Sequence, residues 1–361
     1  MTGLATPITA DLSRWLEEAA PQLDGAPEAA TDLLPRLAAG GVLALGVPGA
    51  LGGEGGELND ALDAISAVSF HSLAAGFVLW GHRSYVEYLV QSPNAALRAR
   101  LLPDLLTGRV AGATGLSNAM KFLAGLEGLQ VCARAEGAGF VLDGNLPWVT
   151  NLRPDGFHVA VAVSHAARPG AFVASLAHDD LGLARSADLD LIGLKATHTA
   201  AISVRALDLP PERIIAADAA AWLPQVRPGF LGLQCGMSIG LARRALAEAR
   251  GHAGTGRHIL ASPITQAETA LVRQEQALKE GLRAGTFKSQ PAALFRIRIA
   301  LAESVAEAVN LELQASGGRA YLAGPGAGFA RRSREAAFVP VITPSLVQLK
   351  TALAAQSQSA T

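Results

Sequence analysis

Phe140-Val-Leu-Asp-Gly-Asn-Leu-Pro-Trp-Val-Thr-Asn151 is the stretch on which the reading of this chain turns. Asp-Gly between apolar neighbours is a strong two-residue turn signal, so a hairpin turning at Asp143-Gly144 is expected. Strand side chains repeat every second residue, which places Trp148 and Thr150 on one face. Such a face can stack an indole on a flat conjugated ring while a hydroxyl meets the ring's polar edge. The other reading of Trp148 is a plug filling the core of the β-structure.

The same period continues around this stretch. Val131 to Ala135 alternates before it, and Phe157–Ser164, Ala171–Leu176 and Ala200–Leu209 are further strands. Short strands with frequent turns argue for a β-barrel or sandwich, and the lack of βαβ alternation argues against a Rossmann sheet. On either side the period is helical. Leu33, Leu34 and Leu37, then Leu58, Leu62, Ile65 and Val68, follow one helix face, with Gly46-Val-Pro48 and Gly52–Gly56 as loops between. Leu97 to Leu106 is amphipathic and ends at Gly108. After Pro228 helices are expected at 231–250, 264–284, 291–316 and Leu346–Ala355, with a Gly-rich break at 251–256. The expected class is therefore α+β in three parts. These are an N-terminal helical domain (1–109), a central β-barrel or sandwich domain (110–222) and a C-terminal bundle of four-helix type (223–361).

The chain has 361 residues, half of them hydrophobic and 17% charged, which excludes a disordered or fibrous protein. The apolar run Phe230–Ala242 is too short to cross a bilayer. Thirty basic residues face 31 acidic ones, so no basic stripe points to nucleic acid or a membrane surface. Small molecules and further copies of the chain are the expected partners. Cys132 and Cys235 are too few for a disulfide framework, and no metal site is read. The opening residues lack the regions of a signal peptide, and a cytoplasmic location is expected.

In order and spacing, five segments resemble the acyl-CoA dehydrogenase family. They are Leu45-Gly-Val-Pro-Gly-Ala-Leu-Gly-Gly53, Leu101-Leu-Pro-Asp-Leu-Leu-Thr-Gly-Arg109, Phe140–Asn151, Gly193-Leu-Lys-Ala-Thr-His-Thr199 and Gln314-Ala-Ser-Gly-Gly318. The resemblance implies a flavin, FAD first and FMN or transiently bound reduced flavin as alternatives. It assigns Trp148 and Thr150 to the isoalloxazine. Thr114 and Ser117 sit where the family has its Thr-Glu-Pro loop, here without the Glu-Pro and several residues longer. Gln314, Gly317 and Gly318 resemble the turn that meets the ADP half of FAD from a neighbouring subunit, which implies a homo-oligomer, dimer or tetramer. Arg257 lies where a pyrophosphate contact is expected, although the family's Arg-x-x-Phe-Gly is not visible.

The departure that matters most is at Thr343. Family members abstract a proton from a thioester with a Glu just before the last helix, and here Thr343-Pro-Ser345 stands in that place. A hydroxyl cannot serve as that base unaided, and Val226 to Cys235 offers no carboxylate either. Related monooxygenases on this fold take reduced flavin from a reductase and need no such Glu. For them a histidine is the natural proton carrier, and His82, with Tyr85 at i+3, is the candidate, against the reading of a packed interior histidine. Three functions follow: an FAD-dependent oxidoreductase of a small substrate, possibly a CoA thioester; a reduced-flavin monooxygenase; or a catalytically silent binding or assembly relative.

Overall fold

The computed structural model describes residues 7–123, 125, 127–254 and 257–358. Thr255 and Gly256 of the expected Gly-rich break, and the first six residues, lie outside them. Five helices open the chain: α1 (Ala10–Gly25), α2 (Ala30–Ala39), α3 (Leu58–His71), α4 (Leu73–Val90) and α5 (Ala95–Leu106). Polar caps start several of them, since a side-chain oxygen can satisfy an amide that has no helical partner. Thr9 accepts from Leu12 N, Ser72 from Ala75 N and Asn94 from Leu97 N. Helix α4 is buried over nearly its whole length and is the central element of this layer.

The β domain is one eight-stranded sheet: β1 (Ala111–Thr114), β2 (Val131–Glu136), β3 (Gly139–Val149), β4 (Phe157–His165), β5 (Ala171–Ala177), β6 (Leu183–Arg185), β7 (Ala200–Leu209) and β8 (Ile214–Ala216). Its order is β6-β7-β3-β2-β4-β5-β8, with β1 also on β4. A seven-residue helix, α6 (Ser117–Leu123), follows β1.

The expected turn at Asp143-Gly144 is corrected. Glu136 pairs with Gly139, so the β2–β3 turn is Gly137-Ala138, with Gly137 at φ 56°. Gly144 lies within β3 at a register shift against β7, with φ 150°. A Cβ there would come within 2.2 Å of Gln130 O, so glycine serves a close strand approach and bulge rather than a reversal.

The C-terminal helices are α7 (Ala219–His252), α8 (Ala261–Arg283), α9 (Thr286–Ser289), α10 (Pro291–Ser316), α11 (Ala327–Phe338) and α12 (Leu346–Gln358). Helix α7 begins 12 residues before the expected start at 231 and runs through Pro224 and Pro228. Each proline removes one amide donor from a helix, which is why the sequence reads as a stop. Asp218 caps the helix, and buried Trp222, Leu223 and Val226 compensate by packing. Helix α7 packs on α3, α8 and α10, so the four-helix bundle draws one member from the N-terminal third. The approach is close: a Cβ at Gly236 or Gly240 would meet Leu62 O at 2.9 Å or Ser66 O at 2.1 Å. By composition alone the stretch Ala327–Gln356 is apolar enough to cross a bilayer. It is not one helix, because Val339–Val341 and the residues after it separate α11 from α12.

Candidate functional site

A cavity of about 490 Å³ opens where the helical layers meet the sheet. Helix α4 contributes Phe77 and Trp80 to its wall, the end of β1 contributes Thr114, and α6 contributes Ser117. From β3 come Leu146, Pro147 and Trp148, and Thr150 follows just past the strand's end. The segment after α11 supplies Val341, Ile342 and Thr343. Five residues singled out in the sequence (Thr114, Ser117, Trp148, Thr150 and Thr343) thus converge on one space. Trp148 is 61% exposed, so it stands at the cavity rim and is not a core plug.

The hydroxyls here are already interlocked. Thr150 donates to Thr197 O and accepts from Thr199, while Thr197 donates to Leu194 O. With its own proton so engaged, Thr150 offers the cavity a lone pair unless its hydroxyl rotates. Thr114 shares a hydrogen bond of 3.0 Å with the buried Tyr88 phenol, whose pKa burial raises.

Four lining residues on α6 and the loop after it, Asn118, Lys121, Glu127 and Gln130, were not foreseen. Asn118 donates to Glu127 Oε1 at 2.6 Å and to Gly128 O, and its own oxygen accepts from Gln130 N. Lys121 lies 3.1 Å from Glu127. The Asn118 hydrogen bond first, and Lys121 next, hold the Glu127 carboxyl below its ordinary value. Glu127 is therefore an anion fastened at one edge, a poor candidate for the missing base.

Thr343 is held from behind. Its carbonyl accepts from Gln234 Nε2 at 3.0 Å, and Gln234 Oε1 accepts from Arg298 Nε at 2.8 Å. Arg298 also donates to Val339 O at 2.7 Å and is wholly buried.

The structure places His82 outside this wall. Its Nε2 donates to Leu105 O at 3.0 Å and its Nδ1 accepts from Gly112 N at 3.0 Å. Both nitrogens are satisfied by backbone in the buried core, which is the geometry of a packed interior histidine. Burial, the largest influence, pushes its pKa down to about 4. The unfolded chain takes up this proton near pH 6.5, the folded one only near 4. Stability should therefore fall as pH falls from 6.5 toward 4, by about 3 kcal/mol for this residue. His158, also lowered to about 4 by burial, acts in the same direction. Urea unfolding at pH 7 and pH 4.5 should show a smaller acid loss in His82→Gln, whose amide can both donate and accept. An unchanged loss would remove the assignment.

Gln314, Gly317, Gly318 and Arg257 lie off the cavity wall, at the end of α10. Gly317 has φ 58°, and a Cβ there would sit 2.6 Å from Arg257 Nη2, so the guanidinium is drawn against the glycine turn. Gln314, Gly318 and Arg257 are exposed.

The family model for the acyl-CoA dehydrogenase N-terminal domain matches residues 11–109. No curated protein matches the chain by sequence. Among solved structures, a glutaryl-coenzyme A dehydrogenase in complex with glutaryl-CoA superposes with a TM-score of 0.82 at 16% identity, over 97% of this chain and 93% of the other. KijD3, in complex with FMN and a dTDP-linked amino-keto sugar, gives 0.79 at 18% identity over 97% and 92%. Dibenzothiophene monooxygenase TdsC from Paenibacillus sp. A11-2 gives 0.75 at 16% identity over 94% and 93%. The chain has the acyl-CoA dehydrogenase fold, one shared by dehydrogenases and monooxygenases alike.

Proposed function

We propose that this chain is an FAD-dependent oxidoreductase acting on a small substrate held in the cavity described above. The observation that carries this reading is the convergence of Trp148, Thr150, Thr114 and Ser117, drawn from different elements, on one wall with an exposed indole at its rim. A flavin bound there would supply two-electron oxidation or reduction. Trp148 would cover its flat face, and Thr150, Thr114 and Ser117 would meet its polar edge. The Gly317-Gly318 turn with Arg257 and Gln314 suits a diphosphate and a nucleotide, which favours FAD over FMN. By the family resemblance that turn serves the cavity of a neighbouring copy, so the working form is a homo-oligomer.

Trp148→Ala is expected to weaken flavin binding by about 1–3 kcal/mol. Because Trp148 is largely exposed, the melting temperature of the flavin-free protein should hardly change, and only stabilisation by added flavin should diminish. Equal flavin affinity in the folded variant would count against the site.

A second reading, a monooxygenase supplied with reduced flavin, is favoured by one feature: Thr343 brings no carboxylate, and Glu127, the one carboxylate on the wall among the described residues, is tied to Lys121 and Asn118. Yellow protein retaining FAD on purification supports the first reading. Colourless protein that takes up reduced flavin supports the second, and no affinity for either leaves a silent binding relative.

A further inference from the structure

We infer that the α11 side of the cavity recognises a carboxylate on a small aromatic or apolar substrate, with Arg334 as its direct contact and Arg298 as the buried positive charge behind it. The inference deepens the proposed function only in using the same cavity. Arg334 lines that cavity on α11. One edge of its guanidinium is fixed, since Nε and Nη2 donate to Asp24 Oδ2 at 3.2 and 2.6 Å, and Asp24 Oδ1 accepts from Leu194 N. Its Nη1 has no hydrogen-bond partner among the described residues. The Arg334 side chain is 42% exposed while that of Asp24 is 3% exposed, so the acid is sunk in the wall and the cation faces outward.

Behind this wall Arg298 is wholly buried, and its Nη1 has no partner. Among the described residues no carboxylate forms an ion pair with it; its hydrogen bonds go to the neutral Gln234 and Val339 O. A guanidinium stays protonated when buried, so an uncompensated one is costly and attracts an anion. The other charges around α11 do not supply one. Arg331 pairs with Glu335, and Arg332 with Glu312. With Arg334 set against Asp24, Arg298 leaves this side one positive charge in excess. The neutral Thr343, which lines the cavity and is joined to Arg298 through Gln234, repels no anion. The adjoining wall is aromatic: Phe77 stacks on Trp80 at 5.6 Å, and Phe338 meets Phe77 edge-on at 5.0 Å. A ring or short apolar body fits there, with its charged end toward Arg334.

The test compares benzoate with benzamide, nearly equal in shape and different in charge, by calorimetry on the full-length protein with and without saturating FAD. Benzoate should bind at least about tenfold more tightly at pH 7, a charge-assisted hydrogen bond over a neutral one, and the difference should shrink in high salt. Arg334→Gln combined with Asp24→Asn removes both charges of the pair without leaving a buried anion, and should abolish the preference. Arg334→Lys should retain part of it. Equal or tighter binding of benzamide, no benzoate binding at millimolar concentration, or an undiminished preference in the folded double variant would overturn the inference. FAD affinity, measured in the same samples, separates the two readings. Benzoate preference without FAD binding would remove only the flavin assignment, and FAD binding without the preference would remove only this one.

Discussion

If flavin binds as proposed, Thr343→Glu should raise the rate at which saturated acyl-CoA thioesters bleach it by about 10²–10⁴-fold, the usual contribution of a positioned general base. The unaltered protein should react slowly or not at all. Residue 343 lines the cavity, and its backbone is fixed by Gln234 and, through it, Arg298. A new carboxylate would gain the nearby positive charge, which favours its ionised form. Pro344 follows immediately and biases residue 343 toward extended backbone, so Glu paired with Pro344→Gly should be the more active variant if the single one aims badly. Anaerobic mixing with a panel of acyl-CoAs, followed at the flavin absorbance, gives the rates. Rapid bleaching by the natural protein would mean that a base exists elsewhere. No bleaching by any variant, with oxygen-dependent hydroxylation when reduced flavin is supplied, would put the monooxygenase reading first.

The second large effect is on stability. Arg332 donates to both oxygens of Glu312, at 2.9 and 2.5 Å, and both side chains are buried between α11 and α10. Arg332→Met strands the Glu312 carboxylate and should cost about 3–5 kcal/mol in urea unfolding. Arg332→Met with Glu312→Leu removes both charges and should recover most of that loss, because two desolvation penalties disappear together. If the double variant is no better than the single one, packing rather than the stranded charge is responsible.

How far the sequence announces this molecule depends on whether a signal is local. Strands β4 and β5 start where expected and end one residue later, and β7 and α10 begin and end where expected. Strands β1, β6 and β8 are three or four residues long, too short for a period to register. Trp148 and Thr150 could be placed on one wall because strand geometry ties i to i+2. Arg298 could not. In sequence it is one more arginine in a charged helix, and only the packing of α10 against α7 shows that water and carboxylates are kept from it. Asn118 and Glu127 were missed for a related reason: their contact joins a helix start to a loop nine residues on, with no period linking them. The Asp143-Gly144 error shows the reverse, a strong local signal overruled by a neighbouring strand that needs the glycine's missing side chain.

The exclusion of any side chain at Gly236 and Gly240 also bears on how the polypeptide comes into being. Helix α3 leaves the ribosome early, yet the groove that receives it is completed only by α7, after the whole sheet has been synthesised. At ordinary elongation rates that interval is on the order of ten seconds or more. Throughout it the face of α3 bearing Leu62 and Ile65 has no partner, so the nascent chain displays a sticky seam that a chaperone would cover. The first hundred residues expressed by themselves would keep that seam open permanently and should aggregate. The segment 11–109 that matches the family model should therefore not fold by itself.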